Sequence, residues 1–188
     1  MASQKGMEKW KQKKWFSVRT PGMFEDKVIC EIPANDEKSI IGRKIKVALN
    51  QLTGDPTHSF TNLTLVVKGV KGNNAVTDIA EVALLQSYIK SLARRGRSIA
   101  GAVVPVTTRD NTQMRVKLIA ITSMRAANTK TRGIRKKMEE FTVAFFKEKE
   151  YSTAMREIIE GKLQRELNNT LRDIMPMNRV EVRKLEIG

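Results

Sequence analysis

The residue types in this sequence that could do chemistry are cations, and they are crowded rather than spread. Residues 90 to 137 hold thirteen basic residues and one acidic one, and residues 1 to 20 hold six and one. Residues 21 to 89 and 138 to 188 are balanced, so these two stretches carry the whole net charge of +15. Keeping a protein soluble does not require such segregation, and like charges packed together oppose folding unless a counter-charge arrives. The pattern points to a localised face for a polyanion. Arg94-Arg95-Gly96-Arg97 stands first. Cations and a glycine are ordinary at a helix carboxyl end, but that accounts for one or two arginines. It does not account for three beside a segment that adds Arg109, Arg115 and Lys117. Guanidinium forks match paired phosphate oxygens. Arg115 and Lys117 share one face of an expected strand, and a merely solvated face fits them equally well.

Arg125, Lys130, Arg132, Arg135, Lys136 and Lys137 precede or occupy the first turns of a segment with helical periodicity. That is the unfavourable end for cations. A helix amino terminus already carries about half a positive charge and free N–H groups, so each added cation costs a few tenths of a kcal/mol. A phosphate placed there removes the conflict. At the start of the chain, Lys11, Lys13 and Lys14 interleave with Trp10, Trp15 and Phe16, a composition suited to stacking on bases and neutralising phosphates. Trp15, Phe16 and Val18 also fit the beginning of a core strand. Residues 1–14 are expected to form a basic tail that orders on RNA, and residues 15–188 a single α+β RNA-binding domain.

Other chemistries lack their parts. With Cys30 the one cysteine and His58 the one histidine, a zinc site of several Cys and His ligands cannot be assembled. Gly69 and Gly72 come without a Walker lysine or a dinucleotide fingerprint, and Thr53-Gly54-Asp55 reads as a turn. His58 has no evident nucleophile or acidic partner. No run reaches the eighteen or so apolar residues of a membrane span, and the polar, basic start has no apolar leader core. The expectation is a cytoplasmic protein with no catalytic residues, no metal, no cofactor and no membrane partner.

Elements that would position the cations can be read from periodicity. Val28, Cys30 and Ile32, then Ile45, Val47 and Leu49, then Leu63, Leu65 and Val67 alternate as half-buried strands do. Turns fall at residues 52–56 and 71–74. Asp78 with Glu81 resembles a capping box before Leu84, Leu85, Tyr88, Ile89 and Leu92, which predicts a helix ending at Gly96. Residues 99–108 and 113–123 read as a hairpin around Asp110-Asn111, with Pro105 requiring an edge or bulge. A helix with Ile134, Met138, Phe141 and Phe145 on one stripe follows, and Tyr151-Ser152 breaks it. A second helix carries Met155, Ile159, Leu163, Leu167 and Leu171 through Gly161, and Val180 and Val182 suggest a last short strand. The fold class is α+β: a mostly antiparallel sheet or barrel with one inserted helix and two carboxyl-terminal helices.

Lys14-Trp15-Phe16, Pro21 with Phe24, Ile41-Gly42-Arg43, Leu52-Thr53-Gly54-Asp55, Ser91-Leu92 with Arg94-Arg95, Arg125-Ala126, Ile134-Arg135-Lys136, Gly161-Lys162-Leu163 and Arg179-Val180-Glu181 occur in that order. Together they resemble the archaeal and eukaryotic small-subunit ribosomal protein family S-three-Ae, also written S-one-e. The short end after Ile187 resembles the archaeal form. The sequence departs from the family where Asn178-Arg179 replaces a pair of arginines and where Ala93 replaces a common valine. The resemblance implies a β-barrel-like body with carboxyl-terminal helices and a structural, non-enzymatic role in translation. It places the protein in the cytoplasmic ribosome, on the small-subunit platform near the messenger exit. Implied partners are the 3′ region of small-subunit ribosomal RNA, neighbouring small-subunit proteins and messenger RNA near the exit. It also adds Arg43 and Arg179 to the candidate RNA contacts. The alternative is a free RNA-binding regulator or RNA chaperone, which would not sediment with subunits. An RNA-modifying enzyme would need ligands or a cofactor loop that the sequence lacks.

Charge segregation sets a measurable expectation. Binding of the protein to RNA should weaken with salt by about 0.7 to 0.9 log units per log unit of salt for each phosphate neutralised. A slope near zero in a filter-binding titration would leave solubility as the purpose of the charge.

Overall fold

The computed structural model describes residues 13–24 and 26–188. Lys11 and Trp10, with the rest of the expected tail up to residue 12, lie outside the described residues. The chain forms two compact units, one ending at His58 and resuming over Leu63–Ala80, the other made of Ser59–Asn62 and Glu81–Gly188.

The first unit is built on strands β1 (Lys14–Arg19), β2 (Val28–Ala34), β3 (Lys44–Ala48), β4 (Thr61–Lys71) and the first part of β5 (Asn74–Leu84). β1 pairs antiparallel with β2 and parallel with β5, while β4 pairs with β3 and β5. Its core gathers Phe16, Val18, Ala34, Ile40, Val67 and Ala75. Alternation therefore sends Phe16 and Val18 inward, as a core strand requires, and leaves Trp15 55% exposed. Leu49 does not end β3; it opens a five-residue helix, α1 (Leu49–Thr53), closed by Gly54 at φ 76°.

The expected helix beginning with an Asp78–Glu81 capping box is overturned. Asp78 lies within β5 and forms an ion pair with Lys68 on β4, while Ala75, Thr77 and Ile79 are buried in alternation. Ladder pairing with β4 satisfies the backbone groups that a cap would have served. The helix that follows, α2 (Gln86–Leu92), is only seven residues long, and Ala93 caps it instead of Gly96. Gly96 instead takes a left-handed conformation in a tight turn where Arg97 N donates to Arg94 O.

In the second unit, β6 (Ile99–Thr107) and β7 (Gln113–Thr122) form the predicted hairpin. Strand order runs from the end of β5 through β8 (Met177–Ile187) and β7 to β6. Pro105 accordingly lies on an edge strand, where its missing N–H costs no ladder bond. The last strand is neither short nor peripheral: β8 has eleven residues and pairs on both sides. Helix α3 (Asn128–Lys147) packs on β6, and Ala100, Ala102, Val104 and Val106 of the strand and Ile134, Met138 and Phe146 of the helix are all buried. The mostly antiparallel α+β class is as expected.

Carboxyl-terminal helices number three, not two. Tyr151 opens α4 (Tyr151–Ile159) instead of breaking a helix, and α5 (Lys162–Arg172) starts anew. The leucine stripe on α5 is fully buried at Leu163, Leu167 and Leu171 and faces β8. Gly161 separates the two helices at φ 74°. Four-residue spacing across the break mimics one continuous helix, but a left-handed residue turns the axis so that both stripes reach the core. Nothing lies within 4 Å of a Cβ built on Gly161, so only backbone strain opposes a side chain. Gly161→Ala should destabilise the protein by about 1 kcal/mol in urea unfolding, and Gly161→Asn by less. A stabilised alanine variant would mean that the two helices are in truth one.

Candidate nucleic-acid interface

Antiparallel pairing decides which cations meet. Ile99 of β6 is level with Ile121 of β7, which is level with Arg179 of β8. The start of β6, the end of β7 and the start of β8 therefore share one end of the sheet. The loop entering β6 carries Arg94, Arg95 and Arg97, and the chain leaving β7 carries Arg125 and then Lys130 and Arg132 at the opening of α3. Two stretches separated in sequence thus converge, and Ser98 joins them. Ser98 N donates to Thr122 Oγ1 (2.9 Å), Thr122 N donates to Ser98 O (3.0 Å), and Ala126 N donates to Ser98 Oγ (3.0 Å). The buried Thr122 hydroxyl also reaches Met124 O at 2.6 Å, which fixes the turn that presents Arg125.

Electrostatically the loop before β6 and the opening of α3 are uncompensated among the described residues. Helix α3 begins after Ala127 with no side-chain cap and no acid in its first turn. Among the described residues no side-chain hydrogen bond or ion pair engages Arg94, Arg95, Arg97, Arg125, Lys130, Arg132 or Arg135. Lys136 is 3.8 Å from Glu140, an exposed pair that water and salt screen. Lys137 differs: it is half-buried and bound to Asp173 at 3.0 Å, so it joins α3 to the residue that closes α5.

Other predicted cations are not brought to this end. Arg115 is exposed on β7, six residues from Ile121 and so about 20 Å along the strand. Lys117 is half-buried and bound to Glu186 (2.9 Å), which also accepts from Lys184 (2.9 Å), itself 3.1 Å from Glu81. This chain of charges crosses β7, β8 and the end of β5. In the first unit, Arg43 donates from Nε to Ser39 O (2.9 Å) and from Nη1 to Pro33 O (3.4 Å), clamping the turn after β2. Lys14 is exposed at the start of β1, and Lys13 precedes it.

One group at the cationic end escapes sequence reasoning. Arg179 Nη1 donates to the Tyr88 hydroxyl, which donates to Glu181 Oε1 at 3.4 Å, and Arg179 Nε lies 3.5 Å from that same oxygen. Burial pushes the Glu181 carboxyl above its ordinary range, against the opposing pull of Arg179 and of the Tyr88 hydrogen bond. Tyr88 reads in sequence as one apolar member of a helical stripe. Only the pairing of β8 puts Arg179 beside it.

Among the described residues no three His, Cys, Asp or Glu side chains converge as metal ligands, and no helix is long and apolar enough to cross a membrane. Fold and site define a basic α+β protein whose cations, at one sheet end, mostly lack acidic partners among the described residues. Relatedness narrows this. The model of the Ribosomal S3Ae family matches residues 1–188. The protein named small ribosomal subunit protein eS1 from Methanococcus maripaludis is 34% identical over 178 residues, covering 95% of this chain and 80% of that one. The protein of that name from Methanobrevibacter smithii is 30% identical, covering 99% of this chain and 96% of its own length. The one from Staphylothermus marinus is 35% identical, covering 96% and 85%. The chain belongs to the Ribosomal S3Ae family, a family of structural ribosomal proteins and not of enzymes.

Lys117 and Lys184 hold the Glu186 carboxyl at about 2, well below its ordinary 4.5. Its contribution to stability is therefore complete above about pH 4.5 and is lost as pH falls through about 2. Glu186→Gln should flatten the decline in unfolding free energy over that interval. An unchanged acid limb would show that the charge chain across β7 and β8 does not stabilise the fold.

Proposed function

We propose that this protein is a structural constituent of the small ribosomal subunit that binds and stabilises ribosomal RNA on the platform near the messenger exit. Membership of a ribosomal family supports a place in the cytoplasmic ribosome and a part in translation. The relatives' names support the small subunit. The observation that carries RNA binding is the convergence of Arg94, Arg95, Arg97, Arg125, Lys130 and Arg132 at one end of the second unit's sheet, without acidic partners among the described residues. Such a group is stable in contact with phosphates, where each arginine offers a planar fork. Arg135, Lys136 and Arg179 extend the surface. Lys11, Lys13, Lys14, Arg43 and Arg115 are separate contacts, and Lys117 and Lys137 contribute positive potential while serving the fold. Partners of this reading are the 3′ region of the small-subunit RNA, adjacent small-subunit proteins and messenger RNA near the exit.

Position can be separated from net charge. Changing Arg94, Arg125 and Arg132 together to glutamine should leave circular dichroism unchanged and thermal stability equal or slightly higher, because mutual repulsion is removed, while blocking stable incorporation into small subunits. Each lost charge-assisted contact should weaken RNA binding by roughly 1 to 3 kcal/mol. Changing Lys147, Arg156 and Arg172, exposed cations of the balanced carboxyl-terminal stretch, removes equal charge and should spare incorporation. Equal sedimentation of both triple variants with subunits would refute an interface at this end. RNA binding by a protein that never sediments with subunits would instead identify a free regulator or chaperone.

A further inference from the structure

Phe60 belongs to the second unit, in the turn ahead of β4, and its ring stacks on Tyr88 with centroids 4.5 Å apart and planes 11° from parallel. This stack is held at both ends. Leu85 N donates to Phe60 O at 2.8 Å, and the Tyr88 hydroxyl is held between Arg179 and Glu181. A parallel stack covers one face of the Phe60 ring, yet the residue remains 47% exposed. The stack does not complete a core, because α2, which carries Tyr88, has no fully buried residue. Its setting is cationic. Arg179 is about half exposed, has no partner at Nη2 among the described residues, and stands at the same sheet end as Arg97 and Arg125.

We infer that Phe60 is a stacking platform for one unpaired base of a single-stranded RNA segment, with Arg179 taking the adjoining phosphate. This rests on the RNA-binding reading above and specifies which form of RNA one part of the surface takes. Bases inside a duplex are already stacked on each other and cannot reach a protein ring, whereas an unpaired base gains a face by leaving water. A rigid support matters because a ring fixed beforehand loses no rotamer freedom on binding. Stacking tolerates any base, so sequence preference should be weak.

The test compares a single-stranded oligoribonucleotide of about twelve nucleotides, within the usual range of site sizes, with a blunt-ended RNA duplex of equal total charge and no unpaired bases, using the full chain. Phe60→Leu keeps an apolar side chain and removes the π face. It should weaken single-strand binding roughly 5- to 100-fold and leave duplex binding and the salt slope unchanged, and Phe60→Trp should restore affinity. Unchanged single-strand affinity, or equal loss on both RNAs, overturns the platform while RNA binding itself stands. No binding of either RNA by the unaltered protein overturns both. Photocrosslinking of the unaltered protein to 5-iodouridine RNA gives a measure free of any folding defect. Adducts should map to the peptide containing Phe60, and adducts only elsewhere refute the assignment.

Discussion

Pairing of β8 between β7 and the end of β5 is the constraint on which the second unit depends. The final strand of the chain enters the middle of this sheet, so the hairpin β6–β7 and the end of β5 are joined only once the carboxyl-terminal helices have returned the chain to them. Burial drives that return. Leu163, Leu167 and Leu171 are fully buried as α5 packs on β8, each worth about 2 kcal/mol when removed from water. Val180, Val182 and Leu185 then point to the same side as Val116 and Leu118, and a one-residue slip would expose all of them. Register is thereby specified, and with register comes the level of Arg179 relative to Ile121 and Ile99.

The same pairing sorts the cations into two kinds. Lys117, Lys137 and Lys184 lie where acids from other elements reach them, and they tie strands and helices together. The arginines of the β6 entry loop and of the turn before α3 lie past the ends of the strands, where no ladder partner brings an acid near. Their mutual repulsion weakens the free protein, and a polyanion would relieve it. Cations of one residue type thus stand in two different settings, some paired across elements and some not. Ser98 and Thr122 show how a small polar pair holds the boundary: their reciprocal bonds end the β6–β7 ladder and begin the loop that presents Arg125.

Much of this was legible in residue order. Alternation located β2, β4 and the β6–β7 hairpin, and the stripe through Ile134 and Met138 located α3, because a period of two or of 3.6 is a local property of neighbouring residues. Asp78 and Glu81 misled because a capping-box spacing also occurs on a strand, and only the facing Lys68 on β4 reveals which backbone it serves. Gly161 misled because the leucine spacing continues across it unbroken, while its left-handed φ does not show in composition. The candidate site was half legible: the clusters around Arg95 and Arg132 stand out by charge, but their meeting through Ser98 does not.

What the sequence by itself determined is the charge segregation, the α+β class and the resemblance to a ribosomal family, all of which follow from residue type and short-range spacing. Tertiary structure alone decided that Lys117 and Lys137 serve the fold, that Arg43 clamps a turn, and that Arg97, Arg125 and Arg179 share one end of a sheet. It alone set Phe60 on Tyr88. The physical reason is that a salt bridge, a stack or a shared sheet end joins residues tens of positions apart. No local period encodes which strand will lie beside which until the hydrophobic faces have chosen their partners.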